Sequence, residues 1–372
     1  MIRSVSERWF MIQEGLATAV SKRVLAYGAG LVGGWVCSGL PGHITVVDRD
    51  QSVLDGLSGQ REDDKLALVC ADALEHALTT DLSRYSLILN MLPGRIGGEL
   101  REQLISSGTS VVDIAFAEDI PPKWHEVARA AGTTFVHDVG IAPGLSNMLI
   151  AAASKEMGPL SRTTIRVGGN PTEPDDDWSY MAPFSPTDVL EEYTRPARVF
   201  RDGQVVTKPA LSDRHLFEVE GRGEMEAFRT DGLRSLLTSG LADQMDEFTV
   251  RWPGHIDRYL QDVEAGELDE EALLEAWRWD PARHDFTWMD VVAESRTGNS
   301  ARWVFDMGVL HGRSSMTTAT GTVTLFVARA LLDDSLHINT GVYAPEDLPE
   351  EFLERVTAAL DESSPGSLRR VE

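Results

Sequence analysis

Two periodicities divide the chain. Between residues 23 and 139, short apolar runs alternate with segments whose apolar positions fall three and four apart. The runs 24–27 (VLAY), 44–47 (ITVV), 66–70 (LALVC), 87–89 (LIL), 110–114 (SVVDI) and 134–138 (TFVHD) predict six strands. Residues 51–57, 99–107 and 123–131 predict helices between them. This alternation gives a mostly parallel sheet. The pattern breaks at Gly140-Ile141-Ala142-Pro143-Gly144, and 145–155 resumes as an apolar helix. Beyond it strands dominate: 163–167, 198–206 with an Asp202-Gly203 hairpin turn, 216–220, 247–251 and 302–310. Residues 171–187 read as a loop rich in proline and acids, and 257–290 as a helical cover anchored by Trp277, Trp279 and Trp288. Residues 317–332 predict a long apolar helix, too short and interrupted to span a bilayer, that packs back on the first domain. The fold class is α/β, with a second, mixed α+β domain following the parallel sheet.

Composition narrows this only slightly. A chain of 372 residues exceeds one typical core, in keeping with two domains. A net charge of −25 argues against nucleic acid or an anionic membrane as partner. Cys37 and Cys70 read as small buried hydrophobes in a reducing cytoplasm, not as a disulfide. Residues 1–21 carry Arg3 and Arg8, but Gln13 and Glu14 interrupt the apolar part, so they read as an N-terminal extension and not a signal peptide. A cytoplasmic protein is expected.

The chemistry begins in the first strand–helix turn, Gly28-Ala29-Gly30-Leu31-Val32-Gly33, with Asp48 twenty residues after Gly28. Strand, glycine turn, helix, strand and acid together form the dinucleotide-binding fingerprint. Gly28 serves the tight turn, Gly30 the approach of a pyrophosphate, and Gly33 the packing of helix on strand. Asp48 is placed for a ribose 2′-OH, which favours NAD; Arg49 keeps NADP possible, since an arginine there accommodates a 2′-phosphate. Asp72 either caps a helix or lies near the adenine. Asn90-Met91-Leu92-Pro93-Gly94 should sit at the carboxyl edge of the sheet, with Pro93 and Gly94 fixing a turn beside the nicotinamide. The chain has no HExxH, paired CxxC, GxSxG or Walker-type motif, and its nine histidines are scattered, so no metal is expected. Asp113, His137 and Asp138 are ionisable residues at strand ends. His137 can act as acid or base, or be a histidine satisfied at the domain junction. Asp113 and Asp138 can hold a substrate ammonium or cap the loops that follow. In Thr230-Asp231-Gly232-Leu233-Arg234, Arg234 can take a carboxylate bidentately or pair with Asp231. His255, and Arg313 in His311-Gly312-Arg313, carry weaker versions of the same argument.

Several stretches together resemble one family: VHDVGIAPGLSNML (136–149), RVGGNP (166–171), FSPTDVLEEYTRPARVFRDGQVV (184–206), EAFRTDGLRSLL (226–237), TVRWPGH (249–255) and GVYAPEDLP (341–349). They resemble saccharopine dehydrogenase-like proteins, and within them the L-lysine 6-dehydrogenases. The glycine turn is generic; the APGLSN, EEYTRPA and TDGLR blocks are specific. After the extension over 1–21, the resemblance implies a Rossmann domain over 22–142, an inserted mixed α+β substrate and dimerisation domain over 143–316, and C-terminal helices over 317–372 returning to the Rossmann domain. It implies NAD(P)-linked oxidation at a C–N bond of an amino acid by a homodimer. For lysine, hydride leaves the carbon bearing the ε-amine, and the imine hydrolyses to a semialdehyde. Carried over as pocket-lining are Asp113, Phe116, Gly140, Gly168, Gly169, Asn170, Pro171, Phe184, Ser185, Thr230 and Asp231. Two departures, the 257–290 segment and Asn170 in place of an apolar residue, bear on substrate identity. Saccharopine or a carboxy-polyamine as substrate, and an NAD-bound sensor without turnover, are the alternatives.

Overall fold

The computed structural model describes residues 22–58, 65–117, 119–310, 312–333 and 338–372; the N-terminal extension and His311 lie outside them. The chain divides into two compact units, Met1–Gly140 with Gly321–Val356, and Ile141–Thr320 with Thr357–Glu372.

The first unit is built on seven parallel strands: β1 (Arg23–Tyr27), β2 (His43–Asp48), β3 (Leu66–Cys70), β4 (Leu87–Asn90), β5 (Ser110–Asp113), β6 (Thr134–His137) and β15 (Gly341–Tyr343). Their order is β15-β6-β5-β4-β1-β2-β3. β4 and β6 are buried throughout, as strands covered on both faces must be, which is why the sequence shows them as continuous apolar runs. Leu25, Tyr27, Ile88, Leu104 and Phe135 form the core. The order reverses between β1 and β4, the switch point beside which open α/β sheets bind ligands. Two local expectations change. Pro93 and Gly94 do not make a free turn; Pro93, at φ −51°, caps the helix Gly94–Ile105, which therefore starts five residues before the predicted 99. Cys37 is buried as expected, but Cys70 is exposed, because it ends the edge strand β3.

The second unit is a nine-stranded mixed sheet. At its centre β7 (Leu160–Pro171) runs parallel to β12 (Ala242–Arg251), with Glu247 opposite Ile165 and Thr249 opposite Val167. β13 (Asp285–Ser295) and β14 (Ser300–Gly308) continue it antiparallel on one side, and β11 (Gly223–Arg229) and β10 (His215–Val219) on the other. β8 (Ala197–Arg201) and β9 (Gln204–Lys208) form the hairpin foreseen at Asp202-Gly203, whose φ values of 48° and 85° are those of a primed turn. The 257–290 segment is only partly helical. The helices His255–Ala265 and Glu270–Ala276 precede β13, so Trp288 belongs to a strand. Strand β13 lies between β7 and β14 and is buried almost throughout, which removes the alternation that marks a strand in sequence. The chain's last strand, β16 (Leu368–Arg370), pairs with β14, and Thr357–Glu372 belong to this unit and not, as expected, to the first. Among the described residues, no helix is long and apolar enough to cross a membrane.

Candidate functional site

The glycine turn separates the needs of the fold from those of a ligand. Gly28 has φ +93°, and a Cβ there would lie 2.6 Å from the Met91 carbonyl oxygen. A Cβ on Gly33 would lie 2.2 Å from the Gly28 carbonyl oxygen. Both positions demand glycine for the packing of β1, its helix and the strand-end loop at Met91 and Leu92. Among the described residues, a Cβ on Gly30 would meet no atom within 4 Å beyond its chain neighbours, so packing against another part of the chain does not demand glycine there. Gly30 caps the helix Leu31–Gly39 without any side-chain cap, and Leu31, Val32 and Gly33 form its first turn. Such a turn offers N–H groups and a positive dipole end to an anion. Asp48 lies beside it. Its Oδ2 accepts from the Ala29 N–H at 2.8 Å and its Oδ1 from the Asp50 N–H at 3.0 Å. A carboxylate has about four acceptor sites, so two are left for a ribose hydroxyl. The residues present fit a dinucleotide. Asp72 is a helix cap, accepting from the Glu75 N–H at 3.0 Å. The exposed Cys70 thiol lies 3.5 Å from the Arg49 carbonyl oxygen.

The strand ends on the other side of the switch point are more enclosed than the sequence implied. Asn90 is fully buried and turns its amide inward, donating to Gly97 O at 3.0 Å and to Asp113 Oδ1 at 3.3 Å. Asp113 is 0% exposed. Its carboxylate takes Arg101 Nε at 2.7 Å and the Ala115 N–H at 2.7 Å, and Arg101 also donates to Ala115 O at 2.9 Å. Burial raises the Asp113 pKa against the pull of Arg101. Three donors and no exposed surface make this carboxylate an internal tie and not an acceptor for a substrate ammonium. His137 and Asp138 remain together, with Nδ1 3.2 Å from Oδ2, and Asp138 adopts φ 57° as the chain leaves the sheet. Phe116 and Gly140 are half-buried in the loops beyond β5 and β6.

In the second unit, Gly168, Gly169, Asn170 and Pro171 are the buried carboxyl end of β7. A Cβ on Gly168 would lie 2.1 Å from Val250 O, so β12 approaches only because glycine stands there. Asn170 donates to that same carbonyl at 3.2 Å. Ser185 caps the helix Pro186–Thr194, directly after the half-buried Phe184. Asp231 receives Arg198 bidentately, Nε at 2.7 Å and a terminal nitrogen at 2.8 Å. Its partner is thus Arg198, a residue on β8, and not the Arg234 that lies nearby in sequence. Arg234 is buried with φ 53°, and Arg313 is only half-buried. Thr230 stands 2.8 Å from Glu247 Oε2 and 2.7 Å from the Thr249 hydroxyl.

Sequence reasoning missed the polar stripe on β12. Glu247, Thr249 and Arg251 alternate with Phe248, Val250 and Trp252, which reads as a solvent-facing strand. Here both faces are buried. Burial pushes the Glu247 carboxyl up to about 7, against the hydrogen bonds from Thr230 and Gly232. Arg251 opens a chain of hydrogen bonds whose direction follows from its last member. The Trp178 carbonyl, 2.9 Å from His255 Nδ1, can only accept, which places the imidazole proton on Nδ1. His255 Nε2 then accepts from the Tyr193 hydroxyl at 2.9 Å, and the Tyr193 oxygen accepts from Arg251 Nε at 3.1 Å. Burial, with Arg251 second, pushes the His255 pKa down to about 3, so the imidazole is neutral. Trp178, Tyr180, Tyr259 and Trp277 enclose this chain edge to face; of the three tryptophans expected as anchors in 257–290, Trp277 packs here, while Trp288 belongs to the cluster of β13 with Phe217 and Phe286.

Residues 140–363 match the family model described as the saccharopine dehydrogenase C-terminal domain. The mitochondrial alpha-aminoadipic semialdehyde synthase of Rattus norvegicus is 24% identical over 204 residues, 51% of this chain and 22% of the rat protein. The chain thus matches about a fifth of the length of that relative. Among solved structures, apo saccharopine dehydrogenase (L-Glu forming) from Saccharomyces cerevisiae superposes with a TM-score of 0.70 at 16% identity, covering 95% of this chain and 100% of the yeast chain. Homospermidine synthase from Legionella pneumophila, solved in complex with NAD, gives 0.65 at 10% identity over 91% and 89% of the two chains. These two likenesses establish the fold: a Rossmann-like parallel sheet and a second mixed sheet.

Proposed function

Since the chain belongs to the saccharopine dehydrogenase C-terminal domain family, we propose that it is an NAD-linked oxidoreductase acting on a C–N bond of an amino acid, with L-lysine oxidised at its ε-carbon to 2-aminoadipate 6-semialdehyde. The observation that carries the cofactor half is the contrast within the glycine turn: Gly28 and Gly33 are hemmed in by backbone, while a Cβ on Gly30 would meet no atom of the described residues within 4 Å beyond its chain neighbours. A bound nicotinamide supplies the hydride acceptor. Gly30 and the first helical turn would hold the pyrophosphate, and Asp48 the adenosine ribose. The lysine half rests on the resemblance of the APGLSN, EEYTRPA and TDGLR blocks. A homodimer is part of the same reading.

The test is NADH production at 340 nm against lysine, ornithine, saccharopine and polyamines. The expected result is turnover with lysine in excess of the rest; saccharopine as the best substrate would replace lysine within the same class, and silence across the panel would reject the assignment. Cofactor choice is measured separately. Asp48→Ala removes a ribose acceptor and should weaken NAD+ binding about tenfold or more, the equivalent of about 1.4 kcal/mol, while NADP+ binding changes little. Equal losses for both would refute the role of Asp48.

A further inference from the structure

The outer edge of the first sheet holds a cleft that the dinucleotide reading does not use. Strand β15 is that edge, and the helix Lys123–Ala131 packs beside it. Gly341 turns its N–H inward to Thr133 O at 2.8 Å, so the next residue, Val342, turns its N–H and C=O outward. His125 of the helix meets both groups, with Nδ1 3.1 Å from Val342 O and 3.3 Å from Val342 N. Protonated, Nδ1 donates to the carbonyl; unprotonated, it accepts from the N–H. The strand therefore holds the ring in either tautomer. Gly341, at φ +149°, makes room for the imidazole, since a Cβ there would lie 2.6 Å from His125 Cε1. The Tyr343 ring stands edge-on to it with centroids 5.9 Å apart. His125 Nε2 is left without a partner among the described residues.

This fixed imidazole lines a cleft of about 710 Å³ with Arg129, Ile338, Asn339, Thr340 and Tyr343, a size suited to a small molecule. Apart from Ile338, every one of these side chains carries a hydrogen-bond donor, and no acid is among the described lining residues. In a chain of net charge −25 such a lining stands out. The Asn339 amide and the Thr340 and Tyr343 hydroxyls have no partner among the described residues. Arg129 makes a single ion pair, to Glu126 at 3.3 Å, with the two side chains 57% and 73% exposed. So exposed a pair is weak, and most of the guanidinium N–H groups remain for a ligand.

We propose that this cleft is a second ligand site, which takes a small polar anion through its carboxylate or phosphate oxygens. Arg129 supplies the charge, in the charge-assisted hydrogen bonds that guanidinium forms with such groups. Tyr343, Thr340 and Asn339 supply neutral donors. His125 joins them through an Nε2 proton when Nδ1 accepts from Val342, so a bound anion favours that tautomer. The site is separate from the glycine turn. Strand β15 ends the sheet order on one side, while β2, which carries Asp48, is next to the last strand on the other. All six lining residues belong to the first unit, so the site is complete within it.

The experiment titrates the full chain, at fixed pH and ionic strength, with inorganic phosphate and with succinate, and follows the histidine imidazole signals by NMR. The His125 signal is identified by its absence from His125→Gln. It should shift saturably with at least one of the two anions, which tells phosphate from carboxylate recognition, and chloride should not reproduce the shift. Arg129→Gln, at an exposed position that leaves the fold intact, should weaken that binding about tenfold or more. Tyr343→Phe should weaken it by a smaller factor, and NADH affinity should be unchanged in both. A His125 signal that neither anion moves saturably, or that chloride moves equally, overturns the inference. So does binding at full strength by Arg129→Gln. Any of these results leaves the cofactor reading standing, and a chain that binds no NADH but saturates at His125 sinks that reading and upholds this one.

Discussion

Gly33→Ala should lose stability and dinucleotide binding together, whereas Gly30→Ala should lose binding alone. At Gly33 the added methyl would sit 2.2 Å from the Gly28 carbonyl oxygen, a backbone atom that cannot swing aside. The helix Leu31–Gly39 must therefore shift off β1. Overpacking of that kind costs about 1–3 kcal/mol, or a few degrees to ten in Tm for a domain of this size. Moving the helix also displaces the N–H groups that a pyrophosphate would use, so NADH affinity should fall by about ten- to a hundredfold. At Gly30 the methyl meets no protein atom within 4 Å. Tm should then stay at the wild-type value while NADH affinity falls by a similar factor. Thermal unfolding and NADH fluorescence titration read both quantities. A Gly30→Ala protein that binds NADH normally would mean that the pyrophosphate does not lie over this glycine.

The second large effect is expected at Arg101. Its ion pair with Asp113 is buried on both sides, and Arg101→Met leaves the Asp113 carboxylate in the interior with only the Ala115 N–H and the Asn90 amide. Breaking a buried pair by removing one partner costs about 3–5 kcal/mol. The sign of its pH dependence follows from the raised pKa of Asp113. Removing Arg101 takes away a lowering influence, so the folded state holds the Asp113 proton to still higher pH. A carboxyl with a folded pKa above its unfolded one contributes stability at acid pH and loses it as pH rises through the folded pKa. The Arg101→Met deficit in urea unfolding should therefore be smaller at pH 5 than at pH 8. A deficit under about 1 kcal/mol, or one that is equal at the two pH values, would show that the pair carries little of the fold.

What the sequence displays depends on burial. Strands covered on both faces, such as β4 and β6, appear as unbroken apolar runs and were legible, as was the glycine turn, whose spacing is dictated by backbone sterics. The same double burial concealed β13, because Trp288 and its neighbours lack alternation. It also disguised β12, whose Glu247, Thr249 and Arg251 mimic a wet face. Roles at the strand ends depend on partners that spacing does not reveal. Asp113 reads as an available carboxylate until the helix Gly94–Ile105 brings Arg101 onto it. Asp231 reads as a partner for Arg234 until β8 delivers Arg198.

Strand β15 joins the first sheet alongside β6, with Gly341 opposite Thr134, although the whole of the second sheet except β16 is encoded between them. Translation therefore delivers β6 long before its neighbour. Until then its edge, Thr134–His137, presents bare N–H and C=O groups on side chains that end up buried. An uncapped apolar edge is a template for pairing with another nascent chain, and pairing across so long a separation is slow to form. A fragment ending at Gly140 should consequently aggregate when expressed, and chaperone demand during synthesis should drop once residue 343 has cleared the ribosome.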